Sequence, residues 1–268
     1  MRALVGVLLL AIAGAGGFLA YSHMHAARDI ANAPGQPAGT LVVRGAAGGP
    51  TAFVVLVDRV GASARGGTYR LTALDVATGA VVASRTLDEP MQCWPGAPAR
   101  MWCSDGESHT HLVAVPSFDA ATAGPADEQS RTWLGHPDAG CAFVDTFPHG
   151  GARLAFATGT GTARRALVNG SDGSAVPGAP DFVSPAFLRV EDPALVLVQH
   201  DIAVDRPNAV AISRIADDLH VAWTAELTGR CESAHVVDDR LVITSADSAQ
   251  RAVAIQLATG AVLWRYAR

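Results

Sequence analysis

Arg251-Ala-Val-Ala-Ile-Gln-Leu-Ala-Thr-Gly-Ala-Val-Leu-Trp-Arg-Tyr-Ala-Arg268 closes the chain. Two apolar runs flank an Ala-Thr-Gly turn, and the second run carries Trp264. The phrase occurs earlier as Leu71-Thr-Ala-Leu-Asp-Val-Ala-Thr-Gly-Ala-Val-Val-Ala83. A phrase repeated within one chain indicates a stacked or radial repeat. Residues 252–257 put apolar side chains on both faces of a strand, so the sheet that holds them must be sandwiched between neighbours. Thr78-Gly79 and Thr259-Gly260 then supply the positive φ that a tight hairpin requires.

The rest of the chain from Thr40 follows the same grammar: short apolar runs separated by Gly, Asp, Asn or Pro, with no sustained helical period. The runs sort into five groups of four. The first is Thr40–Val43, Phe53–Val57, Tyr69–Val76 and Ala80–Leu87. The second is Met91–Trp94, Arg100–Cys103, His111–Phe118 and Ser130–Leu134. The third is Cys141–Phe147, Leu154–Thr158, Ala163–Val168 and a weak Ser174–Pro177. The fourth is Phe182–Val190, Leu195–Gln199, Ala209–Ile215 and Val221–Leu227. The fifth is Cys231–Val237, Leu241–Ser245, Ala252–Leu257 and Ala261–Tyr266. Turns between third and fourth runs are expected at Thr78-Gly79, Ala121-Thr122, Asp172-Gly173, Asp217-Asp218 and Thr259-Gly260. Their spacing of roughly 40 to 50 residues, with four strands each, is that of β-propeller blades. The expectation is an all-β propeller of four-stranded blades with about five repeats. Its ring closes either by side-chain packing alone or by Thr40–Val43 adding to the free edge after Ala261–Tyr266.

These phrases resemble the quinoprotein-type (PQQ-like) β-propeller repeat, whose signature is Ala-x-Asp-x-x-Thr-Gly-x-x-x-Trp. Ala73 to Gly79 matches with Asp75, Thr78 and Gly79, but Ala83 stands where the Trp belongs. Ala254 to Trp264 keeps Thr259, Gly260 and Trp264, with Gln256 in place of Asp. Ala211 to Trp223 is a third copy, with Asp217-Asp218 in place of Thr-Gly. The resemblance implies packing roles for Asp75, Thr78, Gly79, Trp223, Thr259, Gly260 and Trp264. It does not carry over an activity. The quinone-dependent dehydrogenases of that family use about eight blades, adjacent cysteines and an acidic calcium site, and none of these is legible here. The barrel-assembly lipoprotein of the family has a lipid-modified Cys and more blades, which are equally missing. No cofactor is expected.

The first 21 residues are read as a signal-anchor helix or a signal peptide. Met1-Arg2 is a positive start, and Ala3 to Tyr21 carries no charge. At about 1.5 Å per residue such a run just crosses a hydrocarbon core of about 30 Å. Residues 22–39, rich in Ala, Pro and Gly, read as a linker, and 40–268 as the propeller domain. Either N-terminal reading exports the domain, to the periplasmic or extracytoplasmic side or into the medium. The chain has 49% hydrophobic and 17% charged residues and a net charge of -5, with no basic cluster, so nucleic acid is not an expected partner. All 20 basic residues are Arg. A Schiff-base lysine and a phosphate-loop lysine are therefore excluded.

The four cysteines matter in an exported domain. Cys93 and Cys103 lie on neighbouring runs of one group and are expected to form a hairpin disulfide. Cys141 and Cys231 each open a first run; a bridge between them and free thiols near the channel mouth both remain open. A cysteine metal site lacks the Cys-x-x-Cys spacing that would support it. His23-Met24-His25 and His109-Thr110-His111, the latter preceded by Asp105 and Glu107, have ligand-like spacing but read as interfacial and loop residues, and no metal is expected. Gly159-Thr160-Gly161 reads as a hairpin turn, Asn169-Gly170-Ser171 as a turn between strands, and His149-Gly150-Gly151 lacks any Gly-x-Ser-x-Gly partner. No nucleophile, base and orienter assemble from these residues, so the expectation is not an enzyme but a membrane-anchored scaffold for an envelope protein partner. The alternative is a propeller that binds a small ligand or metal at the channel mouth, near Cys141, Cys231 and His235.

Overall fold

Strands that are apolar at every position need cover on both sides, and the sheets supply it for one another. The computed structural model describes residues 35–61, 67–87, 92–104, 110–124, 141–149, 152–157, 164–176, 181–190, 192, 194–202, 209–229, 231–245 and 250–267. Among them there is no helix, and all strand pairings are antiparallel. The N-terminal apolar run, residues 22–34, Ser130–Leu134 and the Gly159-Thr160-Gly161 turn lie outside the described residues.

Sheet I pairs β1 (Gln36–Arg44), β2 (Ala52–Gly61), β3 (Thr68–Asp75) and β4 (Val81–Leu87) in chain order. Sheet II does the same with β5 (Gln92–Pro95), β6 (Arg100–Ser104), β7 (Thr110–Ala114) and β8 (Ala120–Gly124). Next come β9 (Ala142–Val144), β10 (Thr146–His149), β11 (Ala152–Phe156) and β12 (Arg164–Asn169). The strands β10-β11-β12, called sheet III, are the first part of one continuous eight-stranded sheet. In it β12 also pairs with the strand that follows (Arg164↔Val183, Arg165↔Phe182, Ala166↔Asp181), and the fourth strand expected after β12 is reduced to a bridge between Val168 and Ala175. Sheet IV follows with β13 (Asp181–Arg189), β14 (Val196–Asp201), β15 (Ala209–Ile215) and β16 (Val221–Thr228). Sheet V is β17 (Cys231–Val237), β18 (Arg240–Ser245), β19 (Ala252–Gln256) and β20 (Val262–Tyr266).

The structure corrects the sequence reading in three places. The fourth strand of sheet II is Ala120–Gly124, not Ser130–Leu134, because the turn before it falls at Ser117-Phe118 instead of Ala121-Thr122. Phe118 takes the left-handed conformation (φ 58°) that Gly79 takes in sheet I, and its buried ring offsets the strain. The sheet IV turn, by contrast, falls where expected, at Asp217-Asp218, with Leu219 just after it in the left-handed conformation (φ 68°). The run Cys141–Phe147 is not one strand: the chain changes sheets at Asp145, β9 pairing with β13 and β10 with β11. Finally, β1 starts at Gln36, inside the expected linker, with a register shift between Pro37 and Gly39.

The side chains sort cleanly by parity. On β2, Phe53, Val55 and Val57 face sheet II, while Ala52, Val54 and Leu56 face sheet V. On β19, Val253 and Ile255 face sheet IV, while Ala252 and Ala254 face sheet I. On β14, Leu195 just before the strand and Leu197 within it face sheet V, while Val196 and Val198 face sheet III. The apolar cores therefore run II–I–V–IV–III, with sheet V packed on sheet I. No backbone ladder joins β1 to β20, so this junction is made by side chains, the first of the two closures expected.

Candidate functional site

The repeat phrase builds a lock between neighbouring sheets. In sheet I the amides of Ala77 and Thr78 donate to Asp75 Oδ1 (2.6 and 3.2 Å), and Gly79 N–H donates to Asp75 O (2.8 Å). That turn holds Gly79 at φ 71° and presents its bare α-carbon to the neighbouring sheet. The indole of Trp264 lies against it: a Cβ on Gly79 would stand 2.6 Å from Trp264 Cδ2. Trp264 Nε1–H donates to Val76 O (2.9 Å). Sheets IV and V repeat the arrangement. Trp223 covers Gly260 (φ 73°), a Cβ there would stand 2.6 Å from Trp223 Cγ, and Trp223 Nε1–H donates to Leu257 O (2.8 Å). Gln256 replaces the turn's Asp by accepting the Thr259 hydroxyl proton (2.9 Å).

Sheet I has Ala83 in the Trp position, and Arg85 serves instead. Its Nη1 donates to Phe118 O (2.6 Å) and meets Asp119 Oδ1 at 3.2 Å, on the turn of sheet II. The motif residues singled out in the sequence thus sit at sheet junctions.

A polar group fills the I–V junction. Arg251 and Asp58, with side chains 3% and 5% exposed, form an ion pair at 2.7 Å. Arg251 Nη1 also donates to Ser245 O (2.8 Å) and lies 4.0 Å from Glu232. Burial pushes the Glu232 carboxyl above its ordinary range, with Arg251 pulling it down and Asp58 pushing it up. Nearby, Thr40 and Thr244 hydroxyls bond at 2.8 Å, and Thr244 bonds Ser233 at 2.7 Å. Sequence reasoning missed this group, because Asp58 and Arg251 stand 193 positions apart.

Sheet IV contains a second polar chain, His200 Nε2 to Ser213 Oγ (2.9 Å) to Thr224 Oγ1 (2.7 Å). The His200 ring also packs on Phe182 with centroids 4.9 Å apart. Burial holds the imidazole below its ordinary value, opposed by Asp201 through its carbonyl and its charge. Ser213 is fully buried within the sheet, out of reach of a substrate, so the contact is a packing device. Among the described residues no three His, Cys, Asp or Glu gather as metal ligands. His111 lies on β7 opposite Cys103; His109, Asp105, Glu107 and His23-Met24-His25 fall outside the described residues.

The cysteines pair as Cys93–Cys103, with Cα atoms 4.1 Å apart, and Cys141–Cys231, with Cα atoms 5.8 Å apart. The second bond removes both sulfurs from the thiolate pool that a metal site would draw on. His235 is four residues along β17 from Cys231, about 13 Å at strand rise, so the three do not converge.

Exposed apolar surface is concentrated elsewhere. Val81, Val82, Val262 and Leu263, 51%, 44%, 37% and 42% exposed, lie on the outer strands β4 and β20, just past the two Thr-Gly turns. The remaining large exposed apolar side chain among the described residues is Phe143 on β9.

No family model and no curated protein matches the chain. Solved structures that resemble it include BamB from Moraxella catarrhalis (14% identity, 84% of this chain and 60% of that one, TM-score 0.29). Others are Hsv2 from Kluyvelomyces marxianus (9% identity, 81% and 58%, TM-score 0.29) and the β-propeller domain of Cps50 (Swd1) from Myceliophteria thermophila (10% identity, 85% and 72%, TM-score 0.28). The chain spans 60% of the length of that BamB.

Proposed function

We propose that the five sheets are the blades of a closed β-propeller of the PQQ-like type, exported, anchored by its N-terminal run, and acting as a non-catalytic scaffold for a protein partner. The ring is supported by the repeated lock: Trp223 on Gly260 and Trp264 on Gly79 are one interaction, used once within the chain and once between its ends. Export is supported by the uncharged N-terminal run and by the pairing of all four cysteines, since disulfides persist in oxidising compartments.

The observation that carries the scaffold reading is the apolar surface of β4 and β20. Four of the five large exposed apolar side chains among the described residues lie on β4 and β20, the outer strands of the two sheets that meet at the I–V junction, and no other described strand pairs with their outer edges. Exposed apolar side chains beside unpaired strand edges are the physical signature of a docking face. A photo-crosslinking residue placed at Val82 or Leu263 in the full chain in native envelopes is expected to capture a discrete partner, whereas the same probe at Asp172 on the exposed sheet III turn is not. Equal capture from Asp172, or none from Val82 and Leu263, overturns this face as the contact.

A further inference from the structure

The two disulfides do different jobs. Cys93 and Cys103 face each other in a ladder that already pairs β5 with β6, and Cys103 is fully buried in the core between sheets I and II. Cys141 and Cys231 stand 90 residues apart and share no ladder, and both are half-buried. What their bond holds is β9, three residues that leave sheet III and add to the edge of β13 through Ala142↔Arg189, Phe143↔Leu188 and Val144↔Phe187. A ladder this short is weak by itself, because its few hydrogen bonds replace bonds to water. Its side chains add little: Val144 packs against the III–IV core, while Phe143 is 44% exposed.

We propose that Cys141–Cys231 is a redox-sensitive clasp that pins β9 along β13, and that its reduction by a dithiol releases β9 without dismantling the fold. One reductant sulfur attacks the bond to form a mixed disulfide, and the second displaces the remaining protein sulfur. The protein S–S bond is broken, two thiols form, and the reductant leaves as its own disulfide carrying the two electrons' worth of oxidation. The junction between sheets IV and V survives, because Trp223 still covers Gly260 and Cys231 N–H still donates to Gln199 Oε1 (3.2 Å). Release uncovers the backbone of Phe187 to Arg189 along the β13 edge, a three-residue acceptor for an added strand. The clasp stands independently of the β4/β20 contact face.

The test is a dithiothreitol titration of the oxidised full chain, quenched by alkylation and mapped by mass spectrometry, with hydrogen exchange on the same samples. Cys141 and Cys231 are expected to label before Cys93 and Cys103. Amides of 142–144 and 187–189 should then exchange at least tenfold faster while those of β2, β3 and β19 keep their protection. Labelling of Cys93 and Cys103 first, or unchanged protection in β9 after its clasp is reduced, overturns the proposal. The C141S/C231S variant should match the reduced pattern, and a variant with global loss of protection contradicts local release.

Discussion

Sheets IV and V meet through the same lock as sheets V and I, yet the two junctions are reinforced differently. At IV–V the chain runs on from β16 into β17, Gln199 accepts the Cys231 amide, and an aliphatic core fills the space. At V–I there is no chain continuity, and the apolar contribution of sheet V is small: Val242, Ala252 and Ala254, with Val237, Trp264 and Tyr266 at the margin. There the molecule adds the Arg251–Asp58 pair and the Thr40–Thr244–Ser233 hydroxyls. A junction between the two ends of a chain has to fix its own register. Directional polar contacts do that where small apolar side chains would let the sheets slide.

The largest effect separating the junctions is expected from Asp58→Ala. It strands a buried Arg251 and should destabilise the fold by about 3–5 kcal/mol, read as a shift in the denaturant midpoint, whereas Asp181→Ala, an exposed aspartate on β13, should change it by less than about 0.5. Replacing both partners, D58L with R251M, should recover much of the loss, since buried ion pairs are often matched by apolar pairs of similar volume.

Next come the locks. Trp223→Ala, at a residue 7% exposed, should cost about 3–5 kcal/mol, and Trp264→Ala, at a half-buried one, about 2–3. Gly79→Ala and Gly260→Ala should each cost about 1–3 kcal/mol, from positive φ and collision with the indole. In the W264A background the Gly79→Ala penalty should shrink, because the collision has gone; an undiminished penalty would mean that the ring and the turn are not in contact.

The smallest effect is pH dependence. His200 in the folded chain titrates below its free value of 6.5, so its contribution to stability is complete above that pH and is lost as pH falls through the lower folded value. Thermal midpoints measured from pH 7 to 5 should fall, and His200→Gln should flatten that slope. An unchanged slope removes His200 as its source.

Much of this architecture was legible because the repeat phrase survives where packing is tightest. Thr78-Gly79, Gly173 and Thr259-Gly260 mark turns that the structure confirms at φ 71°, 72° and 73°. The turn that falls elsewhere than expected is the one whose left-handed residue is Phe118, which does not advertise positive φ and is held there by tertiary packing. Sheet III was the least legible region. Its aromatic core of Phe147, Phe156, Phe182 and Phe187, with Phe156 and Phe187 stacked at 4.4 Å, is shared with sheet IV, and β12 and β9 both pair with β13. Pairing across a group boundary leaves no local trace in sequence. The polar chemistry was illegible for a related reason: Asp58, Arg251 and Thr40 look like ordinary strand-end residues until the chain's ends are brought together.

The fifth sheet docks on the first through the lock that joins the fourth to the fifth. Proton NMR of the full chain tests it directly, because a glycine α-proton beneath an indole shifts upfield and shows cross-relaxation to the ring. The account predicts both signatures at Gly79 with Trp264 and at Gly260 with Trp223. Finding them at Gly260 but not at Gly79 would contradict it and leave the ring open between its two ends.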